Sequence, residues 1–397
     1  MELEIKHHAD GTRYVRPYLG TNAVTGAPIR PYHRFPDAKT DEEALAAAKV
    51  WIAEVAPAAN VGATHRLGDL LARYVRWVEA NGRSANTVKT YRSFLRYAEP
   101  LAAKPAREVR TYEIEMLYHH LLASRDDGGM GLGAGTVIAF HWFLSGAFRW
   151  MCSIGAADTN PVRDAEKPEP GVYEAVAFEA QDFAKVSKIL ERLAMERCEP
   201  NRSQLLQRES AHGAWIALNT GLRCGEVCAL RKRDAELFRK SLHVGGTVVE
   251  ARGKVFRQDR TKGRRARNVA LSDEACAALR SHERLVEDTF GRRPRPTGVP
   301  LCTYAATAPW IRPSTMSRAF RAICDANGLP KEATFHSLRH THATWLLLGG
   351  MDPKTVSERL GHSSVKVTLE IYAHVLPGRD AQAAELFSRV ARDAGEW

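Results

Sequence analysis

Two short segments of this chain resist regular secondary structure, and their positions constrain what it can fold into. Ala56 to Ala63 reads APAANVGA, small residues around Pro57 and Gly62, and Lys167 to Gly171 reads KPEPG. Proline removes a backbone donor and glycine loosens the chain, so both stretches read as linkers. They divide 397 residues into three pieces, in keeping with two or three domains. The first linker is expected to let residues 1–62 move independently of the rest.

Each piece has its own periodicity. Residues 1–62 carry three β-prone runs, ELEIKHH, TRYVRPYL and APIRPYHRF, separated by the turn signals Asp10-Gly11 and Thr25-Gly26. In the middle run Arg13, Val15 and Pro17 alternate with Tyr14, Arg16 and Tyr18, so the two faces differ in character. Thr40-Asp41-Glu42-Glu43 then opens an alanine-rich helix through Val55 in the manner of a capping box. A three-stranded sheet backed by one helix is expected. Its basic residues, Lys6, Arg13, Arg16, Arg30, Arg34 and Lys39, suit either a solvated face or a β-ribbon that enters the DNA major groove.

Residues 63–165 read as all helix. Leu67, Leu70, Leu71, Tyr74 and Val78 follow helical spacing, Ser84 to Thr87 start a second helix, and further helices cover Tyr112 to Ala123 and Thr136 to Ile154. Gly128 to Gly135 is expected to be a flexible connection; no strand precedes it, which argues against a phosphate-cradling loop. Residues 172–397 begin with helical stretches at Glu179–Glu196 and Ser203–Leu230. A β-rich patch follows at Ser241–Val249, Lys254–Gln258 and Arg267–Leu271, then further helices to a last one at Asp380–Ala394. The fold class is therefore multidomain and mainly α, with small sheets in the first and last pieces.

Composition narrows the partners. Lysine and arginine number 57 against 46 acidic residues, a net charge of +11, which points toward a polyanion. Seven cysteines without a CxxC pair imply neither a disulfide framework nor a zinc ribbon, and fit a reducing cytosol. Neither a signal-peptide core nor an apolar run of about 18 residues is present, so a cytoplasmic protein without a membrane span is expected.

Four polar clusters in the last piece need an explanation. Arg223 and Glu226 sit three apart in TGLRCGEVCAL. Lys262 lies in TKG, expected at the tip of a hairpin between two β-runs. His336 and Arg339 share one face of a helix start in HSLRHTHAT. His362 in LGHSS is followed ten residues later by Tyr372. Taken singly, each also fits an ordinary structural role.

Together and in this order, TGLRCGEVCAL, TKG, HSLRHTHAT and LGHSSVKVTLEIY resemble the catalytic pattern of the tyrosine recombinases, the phage integrase family. TVIAFHWFLSGAFRWMCSIGAADTNPV resembles the family's helical core-binding domain. The first piece resembles the arm-binding domain of integrases from lambdoid phages and conjugative transposons. The resemblance implies an arm-type DNA-binding domain over 1–62, a core-binding domain over 63–165 and a catalytic domain over 172–397. It implies Tyr372 as the nucleophile that leaves a 3′-phosphotyrosine, Arg223 and Arg339 as phosphate clamps, and Lys262 as the acid for the leaving 5′-oxygen. His336 would transfer protons, His362 would support the phosphate or the tyrosine, and Glu226 would orient Arg223. Arg13, Arg16, Arg30 and Arg34 would bind DNA.

The expected partners are double-stranded DNA at core and arm sites and a homo-tetramer on that DNA, at the bacterial nucleoid. An excisionase and a DNA-bending protein are further candidates. No cofactor is expected, and no metal despite His336, His340 and His342; His340 reads as structural and His342 is given no role. The alternatives are a recombinase that resolves chromosome dimers, a type IB topoisomerase-like enzyme, and a DNA-binding regulator.

Overall fold

The computed structural model describes residues 3–21, 28–55, 65–170, 176–198, 201–251, 254–259, 266–291, 297–303, 310–372 and 380–394. The chain forms two compact units, residues 1–172 and 173–397. The segments 22–27, 56–64, 171–175 and 260–265 lie outside the described residues, so the Thr25-Gly26 turn, the first linker, Gly171 and Lys262 do too.

The N-terminal unit opens with an antiparallel meander, β1 (Lys6–His7), β2 (Arg13–Val15) and β3 (His33–Phe35), in that order. Helix α1 (Asp41–Val55) packs beneath it; Val15 and Phe35 face inward and Trp51 stacks on His33. At the start of α1 the Glu43 amide donates to Thr40 Oγ1, while the Glu43 carboxylate accepts from the Lys39 amide, one residue before the position a capping box requires.

Four helices follow: α2 (Leu67–Ala80), α3 (Ala85–Phe94), α4 (Thr111–Leu122) and α5 (Ala134–Ser153). The apolar stripe of α2 is buried as its spacing requires, and Ser84 caps α3 by accepting from the Thr87 amide. The glycine-rich segment before α5 is not loose. Gly129, Met130, Gly131 and Leu132 each donate a backbone hydrogen bond to a carbonyl between His120 and Ser124, so it folds back along α4. Sheet and helices share one hydrophobic core. The Arg34 amide donates to Asn81 Oδ1 at 2.8 Å, and Trp77 Nε1 donates to the Tyr32 carbonyl at 3.0 Å. This packing differs from the independent first piece that the linker suggested.

The C-terminal unit begins with α6 (Ala180–Met195) and α7 (Arg202–Thr220). The helical stretch expected through Leu230 breaks at Gly221, whose φ of +70° is left-handed, and restarts as α8 (Cys224–Ala229) with Arg223 as its N-cap. Strands β4 (Ala235–Glu236), β5 (Ser241–Val244), β6 (Thr247–Ala251), β7 (Lys254–Gln258) and β8 (Arg267–Ala270) form two small antiparallel sheets, β4-β5-β8 and β6-β7. β7 and β8 therefore belong to different sheets, and the TKG segment between them lies outside the described residues. Helices α9 (Asp273–Phe290), α10 (Pro313–Ala326), α11 (Phe335–Leu348), α12 (Pro353–Leu360), α13 (Val365–Tyr372) and α14 (Asp380–Ala394) complete the unit. On α14, Leu386, Phe387 and Val390 are exposed. No helix among the described residues is long and apolar enough to cross a membrane.

Gly221 tolerates no side chain. A Cβ there would collide with Leu360 and sit 2.9 Å from the His342 ring, in a backbone conformation that costs an L-residue about 1–2 kcal/mol by itself. Gly221→Ala should lower the melting temperature of the C-terminal unit by about 4 °C or more, read by differential scanning calorimetry. An unchanged transition would show that α11 and α12 are free to shift away from the turn.

Candidate active site

Arg223, Arg339, His362 and Tyr372 come from separate elements, and all but Arg339 stand at or beside an element's end. Arg223 caps α8, where Glu226 serves it twice: Oε2 accepts from the Arg223 amide at 3.0 Å and Oε1 from Nη1 at 3.1 Å. The Glu226 side chain is 2% exposed and that of Arg223 27% exposed, so the arginine is the accessible partner. Burial alone pushes the Glu226 carboxyl up. Hydrogen bonds and charge from Arg267, with the charge of Arg223, outweigh it, and the net shift is downward. Arg267, the first residue of β8, reaches both carboxylate oxygens, at 3.2 and 3.0 Å.

Arg339, in the second turn of α11, is 2% exposed. It donates from Nη1 to the Gly221 carbonyl at 2.6 Å, while its Nη2 has no hydrogen-bond partner. Burial first, then the nearby charge of Arg223, pushes its pKa down to about 9, so the guanidinium keeps its charge at neutral pH. A buried charged donor without a partner is costly.

Tyr372 ends α13 and is 1% exposed. Its hydroxyl lies 2.8 Å from His340 Nδ1, and the two rings meet edge-on. His336, exposed at the start of α11, places its ring 4.5 Å from that of His340. His362 follows Gly361, the left-handed cap of α12, and its Nδ1 shares a hydrogen bond with Thr368 Oγ1 at 2.8 Å. Burial, and then the charges of Arg339 and Arg223, hold the His362 pKa down at about 3.

Two further residues, without a role in the sequence reading, take part. His342 Nδ1 donates to the Leu218 carbonyl at 2.9 Å, and its Nε2 accepts from Arg359 Nε at 2.9 Å, which fixes a neutral ring with one tautomer. Arg359 also donates to the carbonyls of Asn219 and Ala270, and its own carbonyl accepts from Arg267 Nε. With both nitrogens committed, His342 cannot join His336 and His340 around an ion. Among the described residues no group of three His, Cys, Asp or Glu side chains is placed to hold a metal. Lys262 lies outside the described residues.

In the N-terminal sheet Tyr14 pairs across with Lys6 and Arg34, and Tyr14, Arg16 and Tyr18 line the outer face. Arg16 is exposed, Arg30 lies over the Tyr18 ring, and Arg34 bonds Asp10. Arg13 points the other way and pairs with Asp41 at the start of α1. His8, Tyr14 and Tyr32 form an aromatic cluster that the sequence reading did not single out.

The profile of the phage integrase family matches residues 184–379, which span α7 through Tyr372. The tyrosine recombinase XerC of Chlorobaculum parvum is 32% identical over 327 residues, covering 76% of this chain and 90% of that protein. The chain belongs to the phage integrase family of tyrosine recombinases. It is an enzyme of site-specific recombination, which cuts and rejoins DNA. The ICEBs1 integrase of Bacillus subtilis is 30% identical over 176 residues, 43% of this chain and 46% of that protein. Among solved structures, the Tn1549 transposon integrase in complex with transposon right end DNA shares the fold, with a TM-score of 0.66 and 20% identity. That match covers 82% of this chain and 100% of the other.

His340 and His342 are both held down at about 4, chiefly by burial, and His362 at about 3. An unfolded histidine titrates near 6.5, so below that pH the unfolded chain binds protons that the folded recombinase refuses. The stability these rings contribute is full above pH 6.5 and is lost as pH falls toward 4. The melting temperature should therefore decline steadily from pH 7 to pH 4.5, and ¹⁵N shifts should report three neutral rings at pH 5.5. A ring among these that titrates near 6.5 would contradict the burial described.

Proposed function

We propose that this recombinase is an integrase that inserts and excises a mobile element, with Tyr372 as its nucleophile. The observation that carries the reading is the open Nη2 of Arg339, a buried cation beside Arg223 and close to the tyrosine. A DNA phosphodiester is the anion that this arrangement fits. The Tyr372 oxygen bonds to phosphorus, the bond to the 5′-oxygen breaks, and a 3′-phosphotyrosine and a free 5′-hydroxyl result. The phosphoester bond is conserved, so the reverse step rejoins the strand without an external energy source.

Arg223 and Arg339 hold the non-bridging oxygens, where negative charge grows in the transition state. Planar guanidinium forks suit that geometry. Glu226 orients Arg223. Lys262 protonates the leaving 5′-oxygen, His336 moves protons, and His362 supports the phosphate or the tyrosine. Residues 172–397 act as the catalytic domain and 63–165 as the core-binding domain. Residues 1–62 act as the arm-binding domain, with Arg16, Arg30 and Arg34 on the outer face as its DNA contacts and Arg13 turned away from them. The working form is a tetramer on two DNA duplexes at the nucleoid, helped by an excisionase and a DNA-bending protein. The N-terminal sheet favours an integrase over a resolvase of chromosome dimers, because it supplies a second basic surface.

Incubation with a nicked suicide substrate from the element's ends should trap a covalent adduct on a denaturing gel. Tyr372→Phe should bind that DNA normally and form none, and an adduct with this variant would sink the assignment. Arg223→Lys keeps the charge but loses the fork, so cleavage should fall by about 10²–10³ with binding little changed.

Arg16→Ala with Arg30→Ala should leave suicide-substrate cleavage at a core site intact while reducing two-plasmid integration at least about tenfold, through lost bivalent binding. Point variants are preferable to deletion because the sheet shares a core with the helices after it. Equal recombination by the double variant would remove the arm-binding assignment.

A further inference from the structure

Arg267 touches two catalytic segments and matches none of the family's catalytic positions named above. It is 12% exposed, and all three of its bonding nitrogens are engaged. Nη1 and Nη2 take the two oxygens of Glu226, and Nε donates to the Arg359 carbonyl at 2.9 Å. Glu226 in turn holds the amide and Nη1 of Arg223. Arg359 lies in the last turn of α12, three residues before His362. The backbone between them rests on the same guanidinium: a Cβ on Gly361 would meet Arg267 Nη1 at 2.8 Å and Cζ at 3.0 Å.

The geometry has a consequence for charge as well as for position. Glu226 is buried, and Arg267 is the larger of the two influences that keep it ionised. Without Arg267, the carboxylate loses two of its four donors and swings toward Arg223 alone. Arg223 would then be drawn into a tight pair and away from the phosphate. At the same time the α12 end would lose the donor that sets where His362 begins.

We propose that Arg267 is a positioning residue for strand cleavage: through Glu226 and the Arg359 carbonyl it sets Arg223 and His362 in register around the scissile phosphate. This rests on the reading of Arg223 as a phosphate clamp. The bidentate fork is the feature that matters, so lysine cannot replace it.

The test compares Arg267→Ala, Arg267→Lys and Arg223→Ala in the full chain, on two suicide substrates. One has an ordinary scissile phosphate, and the other a neutral methylphosphonate at that position, which removes the charge a clamp must neutralise. On phosphate, Arg267→Ala and Arg267→Lys should both cut on the order of 10- to 100-fold more slowly, with DNA affinity unchanged. On methylphosphonate, the penalties of Arg267→Ala and Arg223→Ala should both shrink to within about threefold of the parent enzyme. A residue that merely stabilises the fold would carry the same penalty on both substrates. If Arg223→Ala is relieved and neither Arg267 variant is, the positioning role is overturned. If Arg223→Ala itself is not relieved, the clamp reading fails first and takes the proposal with it. Should Arg267→Ala fail to fold, Arg267→Lys decides: full activity on phosphate would also overturn the proposal.

Discussion

The C-terminus of α7 leaves carbonyls that no following turn of helix can pair, and the site is organised around them. A helix end exposes its last carbonyls and a partial negative charge, both of which favour cationic donors. Here Leu218, Asn219 and Gly221 each receive a side chain from elsewhere in the unit: His342, Arg359 and Arg339 respectively. Those three come from α11 and α12. Capping one helix end therefore fixes two other helices, and with them Arg339 and the approach to His362. The left-handed Gly221 makes this possible, because only a residue without Cβ lets His342 and Leu360 come so close.

Hydrogen-bond stoichiometry then decides which charge stays open. A carboxylate accepts about four hydrogen bonds. Glu226 accepts two from Arg223 and two from Arg267, and so is saturated. Arg339 spends Nη1 on a neutral carbonyl and finds no carboxylate. Three guanidinium groups thus share one negative charge, and the excess collects at Arg339 Nη2. Burying an uncompensated charge costs several kcal/mol, which an anionic ligand at that position would recover. The unit holds this arrangement because α11 is pinned at both Gly221 and Leu218, not because the arrangement is comfortable in itself.

Local features of the site were legible in the sequence, and long-range ones were not. The apolar stripe of α2, the Ser84 cap and each short motif taken by itself depend on residues within about a dozen positions of one another, and the order of elements and motifs is read directly along the chain. Arg267 meets Glu226 across 41 positions and Arg359 across 92. Nothing local separates it from the other basic residues in a chain with 57 of them. The same limit explains the other differences. The glycine-rich segment looked loose because its partners are carbonyls of the preceding helix, which carry no side-chain signal. β7 and β8 read as neighbours because proximity in sequence was the only guide, whereas β7 pairs with β6 and β8 with β5. Arg13 alternated with Tyr14 as expected, but which face would meet α1 was not encoded locally.

For Tyr372 as the proposed nucleophile, its contact with His340 bears on where the proton goes. With His340 held down at about 4, its ring is neutral at physiological pH. An imidazole held that low is a weak proton acceptor. His340 is thus a good anchor for Tyr372 and a poor base for it. The buried hydroxyl is held in place by that contact. Activation must therefore come from outside this pair. A phosphate docked on Arg223 and Arg339 changes the local charge by a full unit, and a phenolate formed there would sit beside the positive excess at Arg339. On the proposed reading, the groups that would hold the phosphate are also those that would lower the cost of ionising Tyr372.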